Sequence, residues 1–388
     1  MRQLALTIAL GFGQIVAFAS SFYLLGVLGD PIARSLQLAP TIPFDLLSGA
    51  FLASALVGPL AGRWLDRRGG REVLMASSLV FAIGLVAIAS AGGVASLGVG
   101  VLVLGLGMSI GLYGTPYALL VQVHGDGARP WITAVALMGG LGSSVGWLAN
   151  EWLLQQVGWR GAVMAWAGLH LFVCLPLAVI LAPPHAALSH ATRRPGDGPA
   201  IHWDRRMVQV AVLFASAWFV STCISAHLPR LLARLGLSAP KAAATASLLG
   251  LAAVSARLFE LLVLRRFSPV ITARAAALFH PVGAMAVLAF GASLAPVFVA
   301  GQGLGNGMLS VASGALPLVL FGAEGYARRT AWLNLPARLA QAAGPALFAL
   351  VLARSPGLAL ALTSGVCGVM FLMTFGLSPR RDRLSAAE

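Results

Sequence analysis

The sequence predicts an all-α membrane protein with about 12 transmembrane helices in two pseudo-symmetric six-helix bundles. Three observations predict it. Hydrophobic residues make up 59% of the 388-residue chain and charged residues 10%, whereas a soluble domain carries roughly 25% charged residues. Too little charge is present to cover a water-facing surface. Apolar runs recur at the length a bilayer asks for, roughly 20 residues per spanning helix. A single polar stretch divides these runs into two sets of six.

The first set covers 4–29, 43–64, 72–91, 97–122, 131–156 and 160–182, and the second 207–232, 241–264, 270–292, 296–321, 330–353 and 357–377. The first run follows one early arginine, Arg2, and is longer than the apolar region of a signal peptide, so it reads as a spanning helix. Between the sets lies 183–206, PPHAALSHATRRPGDGPAIHWDRR, rich in proline, glycine and charge. The expected organisation is an N-terminal bundle over 1–182, a cytoplasmic linker over 183–206, and a C-terminal bundle with a short cytoplasmic tail over 207–388. An internal repeat supports two halves: GMSIGLYGTPYALLVQVHGDGAR (107–129) resembles GMLSVASGALPLVLFGAEGYARR (307–329). These segments fall on the fourth and tenth runs, equivalent places in same-sense repeats of six helices, an arrangement expected of alternating-access carriers.

The formal net charge of +14 belongs to membrane topology rather than to nucleic acid, because its arginines sit in loops between apolar runs. One side of the membrane receives Arg2, Arg63, Arg67, Arg68, Arg71, Arg129, Arg193, Arg194, Arg205, Arg206, Arg265, Arg266, Arg274, Arg328, Arg329, Arg380, Arg381 and Arg383. The other receives only Arg34, Arg160, Arg230, Arg234, Lys241 and Arg354. The positive-inside rule makes the first side cytoplasmic, and both termini with it. Cys174, Cys223 and Cys367 lie inside apolar runs, without the spacing of a disulfide framework or a zinc site.

The strongest local signal is GRWLDRRGGREVL (Gly62 to Leu74), between the second and third runs. It resembles the loop signature of the major facilitator superfamily, Gly-x-x-x-Asp-Arg-x-Gly-x-Arg, at Gly62, Asp66, Arg67, Gly69 and Arg71. Gly62 lets two helices approach closely, Gly69 supplies a tight turn, and Asp66 suits a positive helix N-terminus. In this family that terminus belongs to span 11, near Thr330, and the loop serves conformational gating. The resemblance implies the major facilitator fold and a secondary carrier.

A finer resemblance is to bacterial relatives of the monocarboxylate-porter branch. It rests on LGFGQIVAFASSFYLL in span 1, GPLAGRWLDRRGGREVLM, GLGSSVGWLANEWLLQQVGWRGAV in spans 5–6, and GLAAVSARLFE in span 8. Arg257 matches the branch's intramembrane arginine. The porters place an Asp four residues earlier, where this chain has Ala253, and span 1 lacks the lysine of well-studied porters. The resemblance implies a small organic solute, an organic anion such as a monocarboxylate, with a coupling proton.

The superfamily resemblance also implies a cavity between the halves, lined mainly by spans 1, 4, 7 and 10. Candidate substrate-binding residues are Tyr23, Tyr113, Tyr117, Trp218, His227, Gln302 and Asn306, together with Arg257 and Arg338, and Gln14 is a further lining candidate. Aromatics with few polar groups suit a small amphipathic ligand. An ionisable residue within a span costs ~2.5–3.5 kcal/mol on insertion scales, so each needs a partner or a task. Arg257 and Arg338 are such residues, and Asp45 and Glu151 lie toward outer span ends. Glu260, three residues after Arg257, is within pairing reach and joins the gating candidates. Two roles stay open for Arg257: substrate recognition, or a structural pair with Glu260. His170, His227 and His280 could carry protons, since histidine titrates near neutrality.

A competing reading within transport is an exporter of amphipathic or toxic compounds, drug or metalloid. Gly139, Gly140, Gly142 and Gly146 partly resemble an antiporter glycine motif, without its Gly-Pro pair. An intramembrane enzyme would need an acid cluster, a HExxH pair or a Ser/His dyad at depth, and none stands out, so the chain reads as no enzyme. An ATP-driven pump would need a phosphate loop, and the only lysine, Lys241, has no glycine-rich approach. The expected partners are a small-molecule substrate, the lipid bilayer and a coupling proton, with no nucleic acid, metal or cofactor. The expected state is a monomer in the cytoplasmic (inner) membrane. Reporter fusions at Glu388 and near Gly196 should both read cytoplasm, and a periplasmic signal from either would overturn this topology.

Overall fold

The computed structural model describes residues 2–39, 41–184 and 201–377. Most of the expected linker, the C-terminal tail, and Arg193, Arg194, Arg380, Arg381 and Arg383 lie outside the described residues. Among the described residues the chain forms helices and short turns, with no strand.

The first passage is α1 (Arg2–Ala19) and α2 (Leu24–Ser35), followed by α3 (Ile42–Arg68) and α4 (Gly70–Ala89). Then come α5 (Val94–Gly111), α6 (Gly114–His124), α7 (Arg129–Gly139), α8 (Gly142–Leu169) and α9 (Leu175–Leu181). The remaining helices are α10 (Arg205–Arg234), α11 (Ala239–Leu262), α12 (Pro269–Phe290), α13 (Ala295–Phe321), α14 (Tyr326–Arg354) and α15 (Pro356–Leu372). Among the described residues nine runs are long and apolar enough to cross a membrane, and α14, whose parts Tyr326–Gly344 and Leu347–Arg354 meet at 43°, makes a tenth when taken as one span. The shorter α15 adds an eleventh. The twelfth emerges inside α8, where Gly158 takes φ 68° and ψ 175°. That left-handed, non-helical conformation suits only glycine, and it divides α8 into the end of one passage and the start of the next. Twelve helical passages among the described residues therefore match the expected number.

Two expected spans are not continuous. The run 4–29 breaks at residues 20–23, and the run 97–122 breaks between Gly111 and Gly114. Both breaks carry local marks that an average over a whole span hides: Ser20 and Ser21 at the first, and Gly114, Thr115 and Pro116 just after the second. What permits each break is a side chain that takes the stranded carbonyl. Gln14 Nε2 donates to Gly111 O at 2.8 Å, and Asn150 Nδ2 donates to Ala19 O at 3.2 Å. Asn150 is itself held by Trp166 Nε1, at 2.8 Å from its Oδ1.

The chain divides into two compact units, residues 1–200 with 323–335, and residues 201–322 with 336–388. In the first, α4 packs along α5, α5 against α3, and α1 against α7 and α8. In the second, α13 packs between α11 and α12, and α15 against α10 and α12. Each unit closes with an arginine from the start of its third passage. Arg71 Nη2 donates to Val179 O at 2.7 Å, at the end of the sixth. Arg274 Nε and Nη2 donate to Thr374 Oγ1 (3.1 Å) and Thr374 O (3.3 Å), just past the end of the twelfth. Cations complement the unsatisfied carbonyls of a helix C-terminus. Leu148, Phe172 and Phe290 are more than 70% exposed, outward surface that suits hydrocarbon rather than water.

The first turns of α14 belong to the first unit. A Cβ on Gly62 would come within 2.7 Å of Ala331 Cβ and 2.9 Å of Ala327 O. Both are stiff neighbours, so the two helices could not keep this approach. Overpacking of this kind costs about 1–3 kcal/mol. Gly62→Val should lower the unfolding midpoint of the purified protein by several degrees, whereas Gly13→Ala, where a Cβ meets nothing within 4 Å and alanine favours the helix, should not lower it.

Candidate functional site

The first unit gathers aromatic rings around the break in span 1. Phe18 meets Tyr113 with ring centroids 4.8 Å apart, and Tyr113 stacks on Tyr117 at 5.0 Å and 13°. Tyr23 lies 6.3 Å from Phe18 and 5.0 Å from Phe22, which reaches Phe51 at 5.4 Å. Tyr113 sits at the start of α6, so the break in span 4 sets its direction. Its hydroxyl donates to Ala136 O at 3.4 Å, and a Cβ on Gly139 would come within 2.7 Å of that oxygen. Three sequence candidates, Tyr23, Tyr113 and Tyr117, therefore belong to one cluster. Phe18 and Phe22 were missed, although Phe18 lies one turn from Gln14 and Phe22 one turn from Phe18.

The second unit assembles a polar group around α13. Asn306 Oδ1 accepts from Ser221 Oγ at 2.9 Å, which ties α13 to α10. A small cavity of about 10 Å³ beside this bond is lined by Trp218, Asn306, Ser310, Ser313, Phe214 and others. Ser310 Oγ also accepts from Arg257 Nε at 2.8 Å and donates to Gly307 O at 2.7 Å. Ser310 thus bonds Arg257 and lines the same small cavity as Trp218 and Asn306. That serine lies four residues after Asn306, on the same helix face, which is the signal that could have found it.

Arg257 is only 7% exposed and Glu260 1%. The two take different partners: Glu260 Oε2 accepts from Thr272 Oγ1 at 3.1 Å. Ala253 is buried, and its carbonyl lies against Gly307, so tight helix packing occupies the position that carries an acid in the porters.

The other sequence candidates sit elsewhere in this unit. Gln302 Oε1 accepts from His280 Nδ1 at 2.6 Å, and His280 Nε2 meets Thr363 Oγ1 at 2.8 Å. Gln302 is 5% exposed and is engaged in a link across spans 9, 10 and 12. His227 stacks on Phe348 at 5.6 Å. Arg338 Nη1 donates to Gln341 Oε1 at 3.0 Å.

The loop signature is built as a turn. Gly69 takes φ 82° and ψ 163° between α3 and α4, a left-handed φ that favours glycine. Gln122 braces it, accepting from Gly70 N at 3.2 Å and donating to Leu65 O at 3.4 Å. Asp66 faces the backbone N–H of Arg328 in the first turn of α14, within Coulombic reach of the Arg328 and Arg329 side chains. A carboxylate against the unsatisfied N–H groups of a helix start is a favourable charge–dipole contact. Arg67 is exposed, and Arg71 serves the clamp on Val179.

Comparison with known proteins agrees with this architecture. No curated protein matches the chain. Among solved structures it is similar to the human organic anion transporter MFSD10 (TETRAN), with 15% identity, a TM-score of 0.73, and coverage of 97% of this chain and 99% of that one. It is similar to the proton:xylose symporter XylE bound to 6-bromo-6-deoxy-D-glucose, with 13% identity, a TM-score of 0.73, and coverage of 97% and 96%. The E. coli fucose:proton symporter FucP gives 14% identity, a TM-score of 0.69, and coverage of 97% and 98%. At these identities the likeness shows the fold. The sequence itself matches the Major Facilitator Superfamily over residues 10–301, three quarters of its length, and the chain belongs to that superfamily.

Proposed function

We propose that this protein is a secondary active transporter that carries a small organic anion, such as a monocarboxylate, across the cytoplasmic membrane by alternating access. The observation that carries the reading is Arg257. It is a permanently charged guanidinium inside a span, where charge is costly. It is held through Nε by the neutral Ser310 rather than by an acid. That bond fixes the plane of the group and leaves its terminal nitrogens, the pair that matches a carboxylate with two parallel hydrogen bonds. Trp218 and Asn306, sharing the cavity with Ser310, supply the apolar and neutral polar contacts of a small ligand. The similarity to MFSD10, an organic anion transporter by name, supports the anion, and the two proton symporters support a coupling proton.

In this reading the Asp66 loop holds one state of the cycle, and the contact with the start of α14 is what must form and break. A second reading, export of amphipathic compounds, is favoured by the aromatic group of Phe18, Phe22, Tyr23, Tyr113 and Tyr117.

The two roles of Arg257 separate by mutation. Arg257→Lys keeps the charge and loses the fork, so carboxylate binding should weaken about 10- to 100-fold, the size expected for a charge-assisted bond of ~1.5–3 kcal/mol. Glu260→Gln should leave that affinity similar or stronger. Ligand-dependent thermal shift over a panel of carboxylates, amino acids and drugs reads both. Normal carboxylate affinity in a well-folded Arg257→Ala protein would exclude the anion role and favour the exporter.

Asp66→Asn removes a contact worth ~0.3–2 kcal/mol in one conformational state. It should reduce proteoliposome transport severalfold while ligand affinity changes only a few-fold, because a population shift removes no ligand contact. Unchanged transport would make the loop a topological signal only.

A further inference from the structure

The first unit holds a cavity of about 50 Å³ whose lining shares no residue with the aromatic cluster. It lies where α1, α4, the break after α5 and the segment His170–Cys174 meet. Its polar and aromatic lining is Gln14, Ser77, Ser78, Phe81, His170 and Cys174. Gln14 and His170 are each 2% exposed. Gln14 uses Nε2 on Gly111 O, but its Oε1 has no hydrogen-bond partner in the protein. His170 meets Ser20 Oγ through Nε2 at 2.9 Å, and its Nδ1 likewise has none. Either tautomer leaves Nδ1 wanting a partner, as donor or as acceptor. Buried polar groups are costly to leave unmade, so two of them on residues that line one cavity point to an occupant that the side chains turn to meet.

The backbone is shaped for this. His170–Cys174 is a π-helical turn in which Leu175 N–H bonds His170 O, a bulge found disproportionately at functional sites. The imidazole stacks on Phe81 at 4.7 Å and 22°. The fold does not require an opening here. At the third, fourth and sixth passages of the second unit, His280 has partners on both ring nitrogens and its ring packs against Phe298.

The lining fixes the chemistry of the occupant. No charged side chain faces the cavity, so a bare ion would lack a counter-charge. The occupant must donate to Gln14 Oε1 and either donate to or accept from His170 Nδ1. A neutral protic molecule does both. We propose that the cavity is a built hydration site, in which about three to five water molecules, at roughly 10–15 Å³ each by this measure, bridge Gln14 and His170. Through Gln14 the cluster supports the carbonyl end of α5, and so the break that directs Tyr113.

The test is X-ray hydroxyl-radical footprinting of the full chain, which labels side chains beside bound water. Phe81 should oxidise severalfold faster than Phe298, an equally buried phenylalanine of the second unit, at 1% and 0% exposure. Ala178→Leu, which fills the cavity from its lining, should bring Phe81 down to the rate of Phe298. Equal rates for the two phenylalanines in the unaltered protein would overturn the proposal, as would undiminished labelling in a folded Ala178→Leu protein. The comparison within the unaltered protein decides even if that variant does not fold.

Discussion

Inside a bilayer a backbone carbonyl has no water to turn to, and this constraint organises the protein. An unbroken helix satisfies it automatically. Every departure from helix must then be met by a side chain, and the departures are where the chemistry gathers. Gln14 answers the carbonyl released at Gly111, and Asn150 answers Ala19. Arg160 answers Ala89 and Ala91 with Nε and Nη2, at 3.1 and 2.9 Å. Gln14 and Asn150 place the aromatic rings of spans 1 and 4, because the breaks they permit turn the chain at Tyr23 and Tyr113.

The same constraint explains what could be read in advance. A helix that must hide its backbone in hydrocarbon writes itself as a long apolar run, so the number and order of spans were legible. The loop signature was legible because close approach at Gly62, a left-handed turn at Gly69 and a carboxylate at a helix start each need one residue type at one spacing. The breaks were missed because their marks, Ser20–Ser21 and Gly114–Thr115–Pro116, are short and diluted within long apolar runs. The π turn at His170 leaves no mark in composition.

Within the candidate site, residue types were informative and pairings were not. Gln302 was singled out as a polar residue in span 10, yet its partner, His280, lies on another helix, which no single-helix periodicity could indicate. Asn306 and Ser310 share a face at helical spacing, and Arg257 reaches that face from α11. Two arginines within spans thus have different surroundings: Arg257 rests on a serine hydroxyl, and Arg338 on the amide of Gln341.

The paired arginine clamps have a mechanical meaning. Val179, which Arg71 grips, is only four residues from Pro183, where the segment connecting the two sets of helices begins. Arg71 stands two residues beyond Gly69 and five beyond Asp66. The clamp therefore anchors the last helix of the first set on the segment that carries the loop signature, so that a displacement at either end of that one bond is felt at the other.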